Sequence, residues 1–493
     1  RAKARCDKAP RGPHPRAYAR FASCAPSGRR LAKLAISFSS GSRPDLPRYG
    51  SRGSFATMNS AMKSFAARRA RLLEAIGPGV VLVPSAPVFP RNNDVEHPYR
   101  QDSDFFYLTG FDEPESVLVL SNQHPEHRAV LFVRPRNPER EIWDGPRLGV
   151  EGAIAELGVD AAFDVAELAE KLPDYLGDVD RVHVRVGRGH PFDATVFRAL
   201  DVVRGRSRRG IRAPTELVDP VRTLHELRLR KDADELATMR RAAEITRDAH
   251  LEAMRVAKPG RREIEVAAEM ERVFRLGGSE RPAYESIVGS GPNATILHYR
   301  AGKRVLGEGE LLLIDAGCEL DYYASDVTRT FPVSGRFSPE QRALYDVTLA
   351  SQQACLDATK PGATLDALHD VAVDVITRGL IELGLLSGSV AENVEQQKYR
   401  AFYMHRTSHW LGMDVHDVGL YYDAGKPRPL QPGFVLTIEP GVYVGANADV
   451  DPKWRGIGIR IEDDVVVTET GHHNLTHDIP KHADEIERIL ADR

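Results

Sequence analysis

Hydrophobic and polar positions along the chain separate two regions. In the first, short apolar runs alternate with helical stretches. A helix is predicted over 64–76, stopped by Gly77-Pro78-Gly79. Strands are predicted over 80–83, 105–108, 117–120, 130–133 and 182–186, and helices over 151–173 and 193–204. These elements make a mixed α/β domain over residues 62–215, followed by a linker at 216–231.

The second region, residues 232–493, carries a pattern written twice. A long helix is predicted from Asp232 and ends at Lys258-Pro259-Gly260. A second helix follows, with Ile264, Ala267, Met270 and Phe274 on one stripe and Gly277-Gly278 as its stop. Strands come next. Ser338-Pro339-Glu340-Gln341 then opens another helix with a capping signature. That helix ends at Lys360-Pro361-Gly362, a further one runs over 365–383, and strands follow again. Two similar halves predict an α+β unit with an internal pseudo-two-fold axis and a composite site between its sheets.

The strands of this unit hold the chemistry. Leu311-Leu312-Leu313-Ile314 ends in Asp315, and Asp326 opens an alternating strand in which Thr328 and Thr330 share its face. A hairpin of these two strands would bring the carboxylates of Asp315 and Asp326 together. Their mutual repulsion and lost hydration would call for a cation between them. The second half adds His405, His409 and His416 in one polar stretch, and Glu439 ahead of Pro440 at a strand end. It also adds Arg460 and Glu462 on the polar face of an alternating strand whose three Ile face the core. A zincin helix is excluded, because position 406, where an HExxH glutamate would stand, is Arg406. One imidazole and four carboxylates suit Mn²⁺, Co²⁺ or Zn²⁺. Four negative charges balance two divalent ions, which would sit roughly 3.5–4 Å apart and share a water acidified towards a pKa of about 7.

Composition narrows the field. At 42% hydrophobic and 28% charged residues, with no apolar run of 18, the chain reads as globular and without a membrane span. The overall charge is −3, but residues 1–57 hold thirteen Lys/Arg against Asp7 and Asp45, a local +11 that leaves −14 for the remainder. An acidic body of that kind argues against nucleic acid as a partner. None of the four cysteines forms a CxxC pair, which argues against zinc fingers and disulfide frameworks and fits a reducing compartment. Residues 1–57 are expected to be a disordered basic tail. Three origins compete: read-in upstream of a start at Met58 or Met62, which is favoured; an organelle transit segment; or a nucleic-acid-binding arm. The polar stretch from Arg91 to Asp104 is either a surface loop or a loop reaching over a neighbouring active site.

Asp315-Ala316-Gly317, Ser325-Asp326-Val327-Thr328-Arg329-Thr330-Phe331, Ser408-His409-Trp410-Leu411-Gly412, Glu439-Pro440-Gly441 and Arg460-Ile461-Glu462-Asp463 resemble the metal-ligand motifs of the pita-bread metallopeptidases. Tyr99-Arg100-Gln101-Asp102-Ser103-Asp104 with the following Phe105 to Phe111, and Ile287-Val288-Gly289-Ser290-Gly291-Pro292-Asn293, resemble the bacterial-type aminopeptidases P. The resemblance spans about residues 62–490. It implies two divalent ions, Mn²⁺ first, with Asp315 on one, His409 and Glu439 on the other, and Asp326 and Glu462 on both. By the same resemblance His298 stabilises the transition state, His416 touches the substrate backbone, and Glu439 also shuttles a proton. His405 and Arg460 line a proline subsite, and Asp94 meets the substrate's amino end, from another subunit of a dimer or tetramer. The implied activity is hydrolysis of an N-terminal Xaa-Pro bond in proline-containing peptides, in the cytoplasm unless residues 1–57 direct the chain to an organelle. The alternatives are a prolidase-type dipeptidase, a non-catalytic binding module and a metal-free amidinohydrolase relative.

Overall fold

Continuous apolar runs build the first sheet. Val80–Pro84, Val117–Ser121 and Ala129–Val133 are buried almost throughout, as strands covered on both faces must be. In the computed structural model, which describes residues 55–493 with side chains from 63, they form the middle of a six-stranded sheet. Its order is Ala161–Asp164, Ala129–Val133, Val117–Ser121, Val80–Pro84, Arg181–Val184, Glu216–Val218. Alternate residues feed two cores. Val80, Leu82, Val119 and Phe132 pack with the helices Leu168–Leu176 and Phe192–Gly205. Val81, Val83, Leu118 and Leu131 share a core with Phe105, Tyr107, Tyr322, Leu411 and Val466, so the N-terminal sheet and the second region are packed into one another. The predicted basic tail lies outside the described residues up to residue 54.

Several expected elements differ. Positions 105–108 are helical, within Ser103–Thr109. Asp102 caps that helix by accepting from Phe105 N at 3.0 Å, and Gly110 closes it at φ 64°. These end signals outweigh the apparent alternation of Phe105 and Tyr107. The stretch expected as one helix at 151–173 is two helices broken by a strand and a short 3-10 turn. Gly158 turns left-handed at φ 60° after Gly149–Leu157, and Ala161–Asp164 pairs as an edge strand before Leu168–Leu176 begins. The expected linker holds the strand Glu216–Val218 and the helix Val221–Leu229. The first helix begins at Phe55, upstream of the expected start and inside the span assigned to the tail. Ile264 is exposed, and Val266 joins Ala267, Met270 and Phe274 on the buried stripe.

The duplication is present. The helices Ala233–Val256 and Glu263–Leu276 precede a sheet of Ile287–Ser290, Leu311–Asp315 and Thr328–Pro332. The helices Pro339–Ala358 and Leu365–Glu382 precede a sheet of Val435–Ile438, Asp463–Val467 and His472–Asn474. Asp232 and Ser338 both close capping boxes at the first helix of their half. The hairpins match in register. Asp315 pairs with Thr328, and Ile438 pairs with Asp463, so in each half a carboxylate stands at or next to the end of one strand and another lies one or two residues before its partner begins. Arg329, fully buried, donates across the seam to Glu462 O at 2.6 Å and to Asp463 at 2.7 Å. Its guanidinium points away from the Asp326 face, as strand alternation predicts.

Gly317 lets the first pair approach. A Cβ there would stand 1.7 Å from Ser325 O, a clash with backbone that no rotamer change relieves. We expect Gly317→Ala to cost about 3 kcal/mol or more and to weaken divalent-ion binding. Urea unfolding and metal titration check this, and an unchanged midpoint with unchanged affinity contradicts it.

Candidate metal centre

The two hairpins open into a cavity of about 700 Å³ lined by Asp315, Asp326, His409, Glu439 and Glu462. Single donor atoms of Asp326, His409 and Glu462 all lie within 4.8 Å of one another. His409 Nε2 is 3.3 Å from Asp326 Oδ2 and 3.8 Å from Glu439 Oε1. His409 Nδ1 pairs with Trp410 O at 2.9 Å, which leaves Nε2 aimed at the acids. Asp315 joins through two neighbours: Tyr284 Oη lies 2.5 Å from both Asp315 Oδ1 and Asp326 Oδ1, its one proton shared between them, and Arg460 donates to Asp315 Oδ2 at 2.5 Å.

Arg460 also orders the surroundings. It donates to Thr328 Oγ1 at 3.1 Å, and that hydroxyl donates to Glu462 Oε2 at 2.6 Å. It donates to Tyr443 Oη at 2.7 Å, which lies 2.9 Å from His405 Nε2. His405 Nδ1 is 3.6 Å from Glu439 Oε2. A polar arc therefore runs from Asp315 through Arg460, Tyr443 and His405 to Glu439. Its charge is unbalanced. Burial, reinforced by the other acids, pushes Glu439 up to about 7 and Glu462 well above the carboxylate range. Burial would lower His409, but the Asp326 and Glu439 charges outweigh it and carry the imidazole to about 9. Asp326 opposes its own burial with His409 beside it and falls below the ordinary value. Burial and the Arg460 charge drop His405 to about 3, so it is neutral. The oxygen-rich donor set with one imidazole fits divalent metal, whose charge would offset the repulsion among the buried acids.

Of the other predicted residues, His298, His405, His416 and Arg460 line the same cavity. The His416 ring sits edge-on to His409, centroids 4.4 Å apart. Asp94 does not join them within this chain; it is exposed in the turn of a hairpin between Pro90–Asn92 and Val95–Glu96. The polar stretch thus divides, with its first part on the surface. Its last part packs on the second region, where Arg100 pairs with Glu319 at 2.7 Å and with Met413 O at 2.7 Å. Sequence reading missed Tyr284 and Tyr443. Tyr443 had a signal, alternation with Gly441 on the strand Gly441–Val444 just after Glu439. Tyr284 stands ahead of its strand with no periodicity to mark it.

A cavity of imidazole and carboxylates at the seam of a duplicated fold defines a class, the metal-dependent hydrolases. Residues 237–469 match Metallopeptidase family M24, and residues 65–184 match the Aminopeptidase P, N-terminal domain. The chain is 44% identical to an Xaa-Pro aminopeptidase of Escherichia coli over 87% of its own length and 98% of that protein. It is 36% identical to an Arabidopsis thaliana protein named intermediate cleaving peptidase 55, mitochondrial, over 87% of its length and 83% of that relative. The solved structure of Pseudomonas aeruginosa aminopeptidase PepP superposes with a TM-score of 0.86 at 48% identity, covering 87% of this chain and 98% of that one. The chain belongs to metallopeptidase family M24, in its aminopeptidase P branch.

Beneath the site, His250 is wholly buried on the helix Ala233–Val256 and donates Nε2–H to Ala316 O at 3.1 Å, next to Asp315. Burial, helped by Arg329, lowers it to about 3. An unfolded histidine titrates near about 6.5. The folded pKa is the lower one, so this stability is complete above about 6.5. It is lost as pH falls towards about 3, by roughly 1.4 kcal/mol per pH unit. His250→Leu is expected to flatten the acid limb of a urea-midpoint profile between pH 7 and 5; parallel profiles contradict this.

Proposed function

We propose that the chain is a metallo-exopeptidase that removes the N-terminal residue of peptides whose second residue is proline. The observation that carries this reading is the convergence of five donor residues from both halves on one cavity, beside a polar arc suited to a substrate. Asp315, Asp326, His409, Glu439 and Glu462 would hold two divalent ions, with Asp326 and Glu462 shared. Mn²⁺ suits the donors best, ahead of Co²⁺ and Zn²⁺. Bound there, the ions supply Lewis acidity and an acidified water.

The residues of the chain do the rest. Hydrolysis adds water across the amide, and the leaving nitrogen, which carries no hydrogen in an Xaa-Pro bond, gains a proton as the bond breaks. Glu439, beside His405 and His409 in the cavity, is the carboxylate placed to accept a proton from water and return it to that nitrogen. His298 donates to the carbonyl oxygen as charge develops, and His416 holds the peptide backbone. His405, kept neutral, and Arg460 shape the proline subsite with Tyr443 between them. Asp94, exposed outside its own cavity, meets the substrate's amino end in a neighbouring subunit of a homo-oligomer. Among the described residues no helix is long and apolar enough to cross a membrane. We place the protein in the cytoplasm, with an organelle as the alternative because one relative is named mitochondrial.

Arg-Pro-Pro is expected to be cleaved faster than Gly-Pro, and only after Mn²⁺ is restored to chelated protein. Preference for the dipeptide would turn the reading to a prolidase. His298→Ala should lower kcat by about 10²–10³ with little change in KM; a change in KM alone counts against its role.

A further inference from the structure

His416 stands on a stretch, 411–419, that belongs to no helix or strand. The residues flanking it are gripped by side chains from elsewhere. Arg228, 3% exposed at the end of the helix Val221–Leu229, donates to Asp414 Oδ2 at 2.9 Å and to Asp417 Oδ1 at 2.8 Å. Its other terminal nitrogen donates to Asp104 Oδ1 at 2.7 Å. Lys231 adds a bond to Asp417 Oδ2 at 2.8 Å. Ser103 Oγ donates to Asp414 Oδ1 at 2.6 Å, and Arg100 holds Met413 O at 2.7 Å.

Ser103, Asp104 and Arg100 all lie in the N-terminal domain, so two aspartates bracketing His416 are tied to that domain through the guanidiniums of Arg228 and Arg100 and the hydroxyl of Ser103. The fork geometry of arginine serves three carboxylates at once, which a lysine ammonium does not reproduce. Gly412 keeps the loop against this cluster: a Cβ there would lie 2.1 Å from Asp417 Oδ2. The backbone bonds of the stretch, such as Asp417 N to Trp410 O at 2.9 Å, hold its ends, while residues 413 and 414 are fixed chiefly by the N-terminal side chains.

We propose that Ser103, Asp104 and Arg228 are positioning residues through which the N-terminal domain sets the placement of His416, and hence turnover. This rests on the role given to His416 above. The test compares Ser103→Ala and Asp104→Asn in wild-type and His416→Ala backgrounds, with Arg-Pro-Pro and added Mn²⁺. In the wild-type background each is expected to lower kcat/KM by about 10–100-fold, the range for small misplacements within a site, with bound metal unchanged. In the His416→Ala background each should cost nothing further. Equal losses in both backgrounds overturn the proposal, as does a loss that follows metal content. Wild-type turnover by His416→Ala itself overturns both the proposal and the assignment beneath it. Ser103→Ala removes one hydroxyl and keeps the charges, so the comparison stands if Asp104→Asn does not fold.

Discussion

Four carboxylates crowded into one cavity are the constraint on which this fold turns. Asp315, Asp326, Glu439 and Glu462 cannot all ionise there without compensating positive charge. Arg460 supplies part of it, and divalent ions held by these acids and His409 would supply the rest. Asp315 is held by strand pairing, and Glu439 and Glu462, each next to a strand end, donate their backbone N–H to Thr407 O and Thr328 O. The protein therefore maintains a cluster that is costly unless cations bind, and the duplicated hairpins are what hold it in place.

Buried arginines brace that cluster from outside. Arg329 ties the strand after Asp326 to the backbone of Glu462 and the side chain of Asp463. Asp463 in turn is met by Lys481 at 2.6 Å and by Gln352 at 2.7 Å, and the Arg329 and Lys481 charges hold it below the ordinary carboxylate range against its burial. Arg460 faces inward and Arg329 outward, from strands of opposite halves. Removing either partner of such a pair would strand an unpaired charge, so each half's acids depend on the other half's register. Precision in the site is thereby inherited from the seam.

How far this was legible in the chain depends on what fixed each element. Asp315, Asp326, Glu439 and Glu462 could be placed because strand alternation and strand ends are local, and the helix caps at Asp232 and Ser338 are local too. The stretch 105–108 was misread because Phe105 and Tyr107 alternate like a strand; the Asp102 cap and the left-handed Gly110 decide it as helix. The stretch 151–173 was joined because the break at Gly158 leads into an edge strand whose partner, Ala129–Val133, lies remote in sequence. Tyr284 was invisible for a similar reason. Its hydroxyl is placed by two aspartates 31 and 42 residues away, and nothing in its own neighbourhood records that.

The same distinction bears on the N-terminal domain. Its core is shared with Tyr322, Leu411 and Val466 of the second region, and Met413 belongs to that core as well. A domain attached by a flexible tether would leave 411–419 to find its own conformation, at the entropic cost of an unanchored loop. Here the first residues of that stretch are buried against N-terminal side chains and the next are hydrogen-bonded by them. The ordering of the loop is thus carried by the folding of a separate sheet. That gives the N-terminal domain a physical connection to the cavity although, among the described residues, none of its side chains lines it.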